Sequence, residues 1–129
     1  MLNRVEKAVE KKKNGYNCAQ AVACTYCDYT GGNEEDIYNA TQAFGIGMAT
    51  LEGNCGALSG AGVVIGLTNK DRNKTMQDTK TMIHEFKEKN STVICKELKG
   101  IESGIVIRAC EDCIRDTCVS LEKILEQHI

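Results

Sequence analysis

The stretch EGNCGALSGAGVVIG, residues 52–66, is the least ordinary part of the chain, and the fold is interpreted outward from it. Cys55 stands at its head, before an apolar run with four glycines. These are Gly56, Gly60, Gly62 and Gly66. Asn54 and Gly53 are typical of a turn that opens a helix, because Asn caps free N–H groups and Gly permits a tight entry. Cys55 is then expected in the first turn, where the positive helix end lowers the pKa of a thiol.

The glycines have two explanations. Gly56 and Gly60 lie one helical turn apart, as do Gly62 and Gly66, so two sides of the helix lack side chains. Each glycine costs a helix interior about 1 kcal/mol relative to alanine, which calls for a packing or binding reason. One explanation is a tightly packed core helix, favoured by about two to one because a glycine-rich stretch alone is weak evidence for a ligand. The other is a cradle in which Gly56 and Gly60 bind a flat cofactor.

The composition favours an all-α fold. A chain of 129 residues fits one domain with one core, and we expect a single helical, cysteine-rich domain over residues 1–129. The chain has no Pro and no Trp, only 5% of its residues are aromatic, and helix-forming residues abound. Breaks at Gly and Asn predict a bundle of about five to six helices around the central glycine-rich helix.

The helices follow from hydrophobic spacing and from the breaks between them. They are predicted over residues 2–13, 17–29, 34–43, 55–69 and 71–89, in a short segment after residue 91, and over 105–127. Asn17 and Gln20 are placed to form a capping box at the start of the second helix. The last helix has an expected inward stripe, formed by Val106, Cys110, Cys113, Thr117, Leu121, Ile124 and Leu125.

Charge and hydropathy exclude several classes of protein. The net charge is −2 and no long basic block is present, which argues against a nucleic-acid partner. No apolar segment follows the charged N-terminus, so we expect no signal peptide. The longest apolar run, residues 57–67, is shorter than the roughly 20 residues of a membrane span. We therefore predict a soluble cytoplasmic protein without membrane insertion.

The eight cysteines are the second unusual feature. A reducing compartment disfavours structural disulfides, so this count points to metal, cluster or redox chemistry. Two CxxC pairs occur, Cys24/Cys27 and Cys110/Cys113. Each pair shares one helical face and is able to hold part of a zinc site or to form a local disulfide. A thioredoxin-type CxxC begins a helix, whereas both pairs lie inside predicted helices, so that signal is weak here.

A different set of four cysteines takes one residue from each of four predicted helices: Cys18, Cys55, Cys95 and Cys110. Four thiolates that converge in this way suit an iron–sulfur cluster, another tetrahedral metal, or thiol–disulfide exchange. Spacing alone does not select this set over the others.

The motifs NCAQAV (17–22), CGALSGA (55–61) and CKEL (95–98), followed by Cys110, resemble those of the C_GCAxxG_C_C family of redox-active proteins. The family name writes GCAxxG where this chain reads CGAxxG, a minor difference because the cysteine, the alanine and the closing glycine are all present. Cys113 competes with Cys110 for the fourth family position. Cys110 is preferred, because residues 114–116 then continue as the family's terminal helix does.

The resemblance implies redox or metal chemistry, and it identifies no substrate. The family is similar to the cysteine-rich part of split-Soret cytochrome c, but this chain has no CxxCH motif for covalent haem attachment. The leading hypothesis is a redox protein with an electron-transfer partner. In it, Cys18, Cys55, Cys95 and Cys110 either hold an iron–sulfur cluster or other metal, or cycle between thiol and disulfide. Cys55 is the expected most reactive thiol.

Two other classes stay open. One is a non-catalytic protein that binds or handles a soft metal through thiolates. The other is a plain helical interaction module with buried cysteines. A homodimer is expected if the glycine-faced helix packs on a second copy. His84 is expected at the surface and His128 at a frayed terminus, and neither is a strong ligand candidate.

Overall fold

The computed structural model describes residues 3–127, and this part of the chain folds into α-helices without β-strands. The predicted all-α class is confirmed. The helices are α1 (Arg4–Lys13), α2 (Cys18–Thr25), α3 (Cys27–Thr30), α4 (Glu34–Ala40), α5 (Gly45–Met48), α6 (Gly56–Asn69), α7 (Arg72–Asn90), α8 (Cys95–Lys99) and α9 (Cys110–Glu126). Leu2 and His128, which the sequence predictions included, lie outside the described residues. Within those residues, no helix is long and apolar enough to cross a bilayer.

The glycine-rich helix α6 lies at the centre, where it packs on α2, α7 and α9. The glycines of α6 differ in how closely neighbouring backbone approaches them. A Cβ atom on Gly60 would lie 2.4 Å from the carbonyl oxygen of Ala19, so the α2 backbone approaches α6 too closely for any side chain. A Cβ atom on Gly62 would meet nothing within 4 Å. Close packing against α2 therefore explains Gly60, and the open Gly62 side stays without a packing reason.

Local caps determine where the helices begin. The predicted capping box forms: Asn17 Oδ1 accepts the Gln20 N–H at 2.8 Å, and Gln20 Oε1 accepts the Asn17 N–H at 3.0 Å. This box starts α2 at Cys18. The predicted helix over 17–29 is nevertheless broken at Tyr26, just after Thr25 donates its hydroxyl to the carbonyl of Ala21. Such back-bonding bends helices, and α3 continues in a new direction.

The entry to α6 differs from the prediction. Cys55, not Asn54, is the N-cap residue, and the Asn54 amide instead donates to the Cys55 carbonyl and to Ser59 Oγ, both at 3.0 Å. The Cys55 N–H donates to the carbonyl of Val93 at 2.7 Å. The Cys95 N–H donates to the carbonyl of Gly53 at 2.9 Å. These two bonds tie the entry of α6 to the entry of α8, so Cys55 and Cys95 become neighbours.

The last helix begins later than predicted. Residues 105–109 are not helical, because the N–H groups of Ile107 and Arg108 donate to the carbonyl of Leu98 at 2.9 and 3.2 Å. Val106 is 61% exposed, so its predicted place in the inward stripe is wrong. The rest of the stripe holds from Cys113 onward, where the predicted core residues are buried.

Two further differences from the prediction affect the connections between helices. The helix predicted over 34–43 ends at Ala40 and is followed by a 3-10 turn, Gln42–Phe44. The next turn, α5, is left-handed: Ile46 has φ 54° and Gly47 has φ 56°. A Cβ atom on Gly47 would lie 2.7 Å from the Cβ of Cys95, so this turn packs directly on the first residue of α8. The remaining helix predicted over 71–89 forms as α7, and the Lys74 N–H donates to the Asp71 carboxylate at 2.9 Å.

Candidate functional site

Five cysteines line one cavity of about 250 Å³. They are Cys18, Cys55, Cys95, Cys110 and Cys113. Four of them occupy the start of a helix: Cys18, Cys95 and Cys110 are first residues, and Cys55 is an N-cap. Cys113 lies one turn into α9. The positive ends of helices therefore converge on the cavity, and this field favours thiolates over thiols.

The four cysteines that the sequence singled out are thus brought together, and Cys113 joins them. Both candidates for the fourth family position lie in the same wall. Cys110 is partly exposed, whereas the other four cavity cysteines are buried. All eight cysteines of the chain are free thiols in this structure.

The remaining three cysteines lie elsewhere. The Cys24 and Cys27 thiols point to the carbonyls of Glu34 and Ala23, each at 3.9 Å, and Cys118 is buried beside Tyr26. The two CxxC pairs therefore do not meet, and the zinc site that their number allowed is not formed. More generally, residues 3–127 contain no group of three or more His, Cys, Asp or Glu side chains arranged to hold a metal ion. His84 is at the surface as predicted, 3.0 Å from Glu88.

The two glycines proposed as cofactor contacts separate. Gly56 lines the cavity, and a Cβ atom on it would lie 2.9 Å from the carbonyl oxygen of Phe44. Gly60 is not in the cavity wall, because its open side is filled by the backbone of Ala19. The packing leaves no room for a flat cofactor at Gly60.

The first electrostatic feature of the cavity is the pair Cys18–Cys110. A hydrogen bond from the Cys18 thiol lowers the pKa of Cys110 to about 5; burial opposes this shift, and the charges of Lys99 and Lys12 assist it. The same hydrogen bond, followed by burial, raises the pKa of Cys18. At neutral pH the pair therefore consists of a Cys110 thiolate and a Cys18 thiol that donates to it.

A second pair repeats this arrangement deeper in the protein. A hydrogen bond with the Cys113 thiol lowers the pKa of Cys55 against the effect of burial. The Cys113 Sγ also lies within hydrogen-bond distance, 3.8 Å, of the carbonyl oxygen of Arg108. Although Cys55 makes no regular capping hydrogen bond, the N–H groups of Ala57 and Leu58 also lower its pKa. The hydrogen bond to Cys55 and burial raise the pKa of Cys113. The cavity thus holds two hydrogen-bonded cysteine pairs, and in each pair the pKa of one cysteine is lowered.

Cys95 is the fifth thiol and has no such partner. Burial raises its pKa, the charge of Lys99 opposes this, and the neighbouring Cys55 and Cys110 add to the increase. Lys99 itself is a cation held by the thiolates. Burial acts to lower its pKa, but Cys110, Cys95 and Cys18 together raise it by more. The ammonium of Lys99 is therefore the charge that stabilises the Cys110 thiolate.

Sequence reasoning predicted Cys55 as the most reactive thiol, and this stays a prediction. Both Cys55 and Cys110 line the cavity and have lowered pKa values, but Cys55 is only 5% exposed while Cys110 is partly exposed. The low pKa of Cys110 was missed because its CxxC pair was placed inside a helix that in fact begins at Cys110. Glu111 and Asp112 carried the signal, since paired acidic residues are typical of a first helical turn.

The helices and the cavity together define an all-α protein with paired thiols at converging helix ends. A family model described as "Putative redox-active protein (C_GCAxxG_C_C)" matches residues 16–124. The chain belongs to this family, as the motifs predicted, and the match covers all five cavity cysteines. No curated protein and no solved structure matches the chain significantly.

Proposed function

We propose that this redox-active protein exchanges thiols and disulfides through the pairs Cys18–Cys110 and Cys55–Cys113. The observation that carries the proposal is the hydrogen-bonded Cys110 thiolate and Cys18 thiol in a cavity wall, next to the ammonium of Lys99. A thiolate attacks disulfides, and a neighbouring thiol resolves the product. In the Cys18–Cys110 pair, Cys110 supplies the thiolate and Cys18 supplies the neighbouring thiol.

The outer pair acts in two steps. The Cys110 thiolate attacks one sulfur of a disulfide, forms a mixed disulfide and expels the other half as a thiolate. Cys110 then carries no charge, so it no longer holds the proton on Cys18. Cys18 transfers that proton to the departing thiolate and attacks the Cys110 sulfur. The result is a Cys18–Cys110 disulfide, one substrate thiol and one substrate thiolate, which balances the electrons, the single proton and the charge.

The inner pair regenerates the outer one. Cys113 lies one helical turn from Cys110, and a hydrogen bond joins it to Cys55, whose pKa is lowered. In its thiolate form, Cys55 accepts the Cys113 proton while Cys113 attacks Cys110 and releases Cys18 as a thiolate. Cys55 then passes the proton to the Cys18 thiolate and attacks Cys113, which releases Cys110 as a thiolate. The disulfide moves inward, and an electron-transfer partner reduces it there or at the cavity mouth.

A second candidate function is the binding of a soft metal or an iron–sulfur cluster without thiol exchange. Five thiol groups on one cavity favour it, because thiolates are the preferred ligands of such centres. The donor type suits the group, but in residues 3–127 no three of these donors are arranged to hold a metal ion together.

One experiment separates the two functions. Protein purified without oxygen is analysed for iron, sulfide and zinc, then oxidised mildly and mapped for disulfides by mass spectrometry. We expect a Cys18–Cys110 disulfide followed by Cys55–Cys113, and neither Cys24 nor Cys27 in a disulfide. Cys110→Ser should block the first disulfide, whereas Cys27→Ser, a partly exposed cysteine outside the cavity, should not. Stoichiometric iron and sulfide that vanish in Cys110→Ser would instead establish the metal function.

The proposed setting is the reducing cytoplasm, where free cysteines persist as thiols. The full chain is proposed to act as one domain. The homodimer expected from the sequence stays a prediction, which light scattering of the purified protein tests.

A further inference from the structure

The wall of the thiol cavity is positively charged, although the chain as a whole carries a net charge of −2. Lys12, Lys99 and Arg108 line the cavity, and no Asp or Glu is among the lining residues. The negative charge in the wall is that of the thiolates themselves. A ligand that enters therefore meets ammonium and guanidinium groups beside the sulfur atoms.

The three cations are not equivalent. The Arg108 guanidinium donates two hydrogen bonds to the Asp116 carboxylate, both at 3.0 Å, so its charge is largely balanced. Lys12 and Lys99 belong to none of the ion pairs found among residues 3–127. The charges of both lower the pKa of Cys110, and Lys99 also donates a hydrogen bond to that thiolate. Neither lysine is paired with a carboxylate there, so both ammonium groups are left to bind an anion beside Cys110.

The two amide side chains of the wall are already engaged. The amide of Asn17 donates to the carbonyl of Gln42 at 3.1 Å, and that of Gln20 donates to the carbonyl of Tyr38 at 3.1 Å. Their oxygens complete the capping box of α2. A polar ligand is therefore selected here by charge and not by amide hydrogen bonds. The volume of about 250 Å³ is below the range of drug-sized ligands, so the ligand is small.

We infer that the cavity is a substrate site for a small disulfide with negatively charged ends, held by Lys12 and Lys99 with its sulfur atoms next to Cys110. This inference rests on the proposed thiol–disulfide function and names its substrate class. The carboxylates of such a ligand replace water around the ammonium groups. The ligand's S–S bond then lies against Cys110, which is partly exposed while the other four cavity cysteines are buried.

The reaction balances. The Cys110 thiolate forms a bond to one ligand sulfur, and the ligand's S–S bond breaks to release a carboxylated thiolate. Cys18 gives its proton to that thiolate and forms the Cys18–Cys110 disulfide, which releases the second carboxylated thiolate. The protein thiolate–thiol pair is oxidised by two electrons, and the ligand disulfide is reduced to one thiol and one thiolate.

The test compares three small disulfides of similar size: dithiodiglycolate, which is a dianion, hydroxyethyl disulfide, which is neutral, and cystamine, which is a dication. The rate of Cys18–Cys110 oxidation is measured with each at low ionic strength. Each rate is divided by the rate of the same disulfide with mercaptoethanol, which removes the reagent's own reactivity. We expect the normalised anion rate to exceed the cation rate by about tenfold or more, and to fall as salt is added.

Lys99→Gln provides the sharper comparison. It changes the thiolate fraction of Cys110, but that fraction cancels in the ratio of anion to neutral rates measured on one protein. We expect the ratio to fall by about threefold or more in Lys99→Gln, further in the double variant with Lys12→Gln, and not in Lys80→Gln, which removes the same charge from the exposed side of α7.

The outcomes are distinct. Equal normalised rates for the three disulfides, or a ratio unchanged by Lys99→Gln and Lys12→Gln, would overturn the anionic substrate while leaving thiol–disulfide exchange in place. If none of the three disulfides oxidises Cys18 and Cys110, the proposed function itself fails.

Discussion

The two CxxC pairs have the same spacing and opposite chemistry. Cys110 and Cys113 begin α9 at the cavity, whereas Cys24 and Cys27 span the break between α2 and α3. The pKa of Cys110 is lowered to about 5. The pKa of Cys24 is raised to about 11, first by burial and then by the negative charges of Cys27 and Glu34.

A lysine lies near each pair, so the presence of a cation does not explain the difference. Lys99 is held by the thiolates of the cavity. Lys11 instead contacts the Glu34 carboxylate at 2.9 Å, and this carboxylate raises the pKa of Cys24 and Cys27. The comparison teaches that a hydrogen bond from a second thiol and the partners of neighbouring charges set the pKa of a thiol, while the CxxC spacing by itself does not.

The largest expected effect is on alkylation. With iodoacetamide at neutral pH, Cys110 should react roughly ten to a hundred times faster than Cys24, because its thiolate fraction outweighs its lower nucleophilicity. The Cys110 rate should be flat above about pH 6 and fall towards pH 5, as its pKa of about 5 requires. Mass spectrometry of the digested protein measures both rates. An alkylation rate of Cys110 that still rises above neutral pH would contradict the lowered pKa of Cys110 and with it the difference between the two pairs.

The next effect concerns the hydrogen bond that lowers the Cys110 pKa. Cys18→Ala removes the first cause of that shift. A hydrogen bond to a charged group is worth about 1.5–3 kcal/mol, so the pKa of Cys110 should rise by about one to two units. The ultraviolet absorbance of the thiolate, followed through a pH titration, reports the change. Cys24→Ala, also on α2, is the matched control and should leave the Cys110 titration where it is.

A third effect tests how the cavity is assembled. Gly60→Ala should lower the free energy of unfolding by about 1–3 kcal/mol, because its Cβ would meet the α2 backbone that carries Cys18. Gly62→Ala, on the open side of the same helix, should raise it by up to about 1 kcal/mol. Urea unfolding of both variants measures these changes in the free energy of unfolding. Equal stability of the two would mean that α2 and α6 are not in close contact at Gly60.

The smallest expected effect is the pH dependence of stability. The folded pKa of Cys110 is depressed to about 5, so this thiolate stabilises the fold above the unfolded thiol pKa of about 8.5, and the contribution is lost as the pH falls through 5. Since Cys110 is partly exposed, water screening reduces the effect to about 1–2 kcal/mol.

Urea unfolding at several pH values measures this contribution. Stability should rise between about pH 5 and 8 in the unaltered protein and rise less in Cys110→Ser. The Cys27→Ser variant should follow the unaltered protein, because the pKa of Cys27 is raised and not lowered. An unchanged slope in Cys110→Ser would show that this thiol is protonated in the folded state.

Much of the fold was readable from local pattern. The Asn17–Gln20 capping box and the Asp71 cap depend on residues within one helical turn, so the starts of α2 and α7 were predicted closely. The starts of α6 and α9 were not. Both are fixed by bonds to a distant segment, through the carbonyls of Val93 and Leu98, and no local spacing encodes those partners.

The cavity cysteines also divide into what the sequence pattern identified and what contacts between distant segments decided. The family motifs identified Cys18, Cys55, Cys95 and Cys110, and the structure places all four on one cavity. Cys113 was treated as an alternative to Cys110, whereas it is the hydrogen-bond partner of Cys55. A motif names residues in order along the chain, and it does not state which of them become neighbours.

The sequence by itself determined the all-α class, most helix spans, the family and four of the five cavity cysteines, because helix periodicity, caps and motifs act over a few residues. Only the tertiary structure decided which thiols are paired, which one is exposed, and that Lys12 and Lys99 face them. The physical reason is that a thiol's pKa depends on burial and on charges within a few ångströms, and these are contributed by residues far apart in the chain.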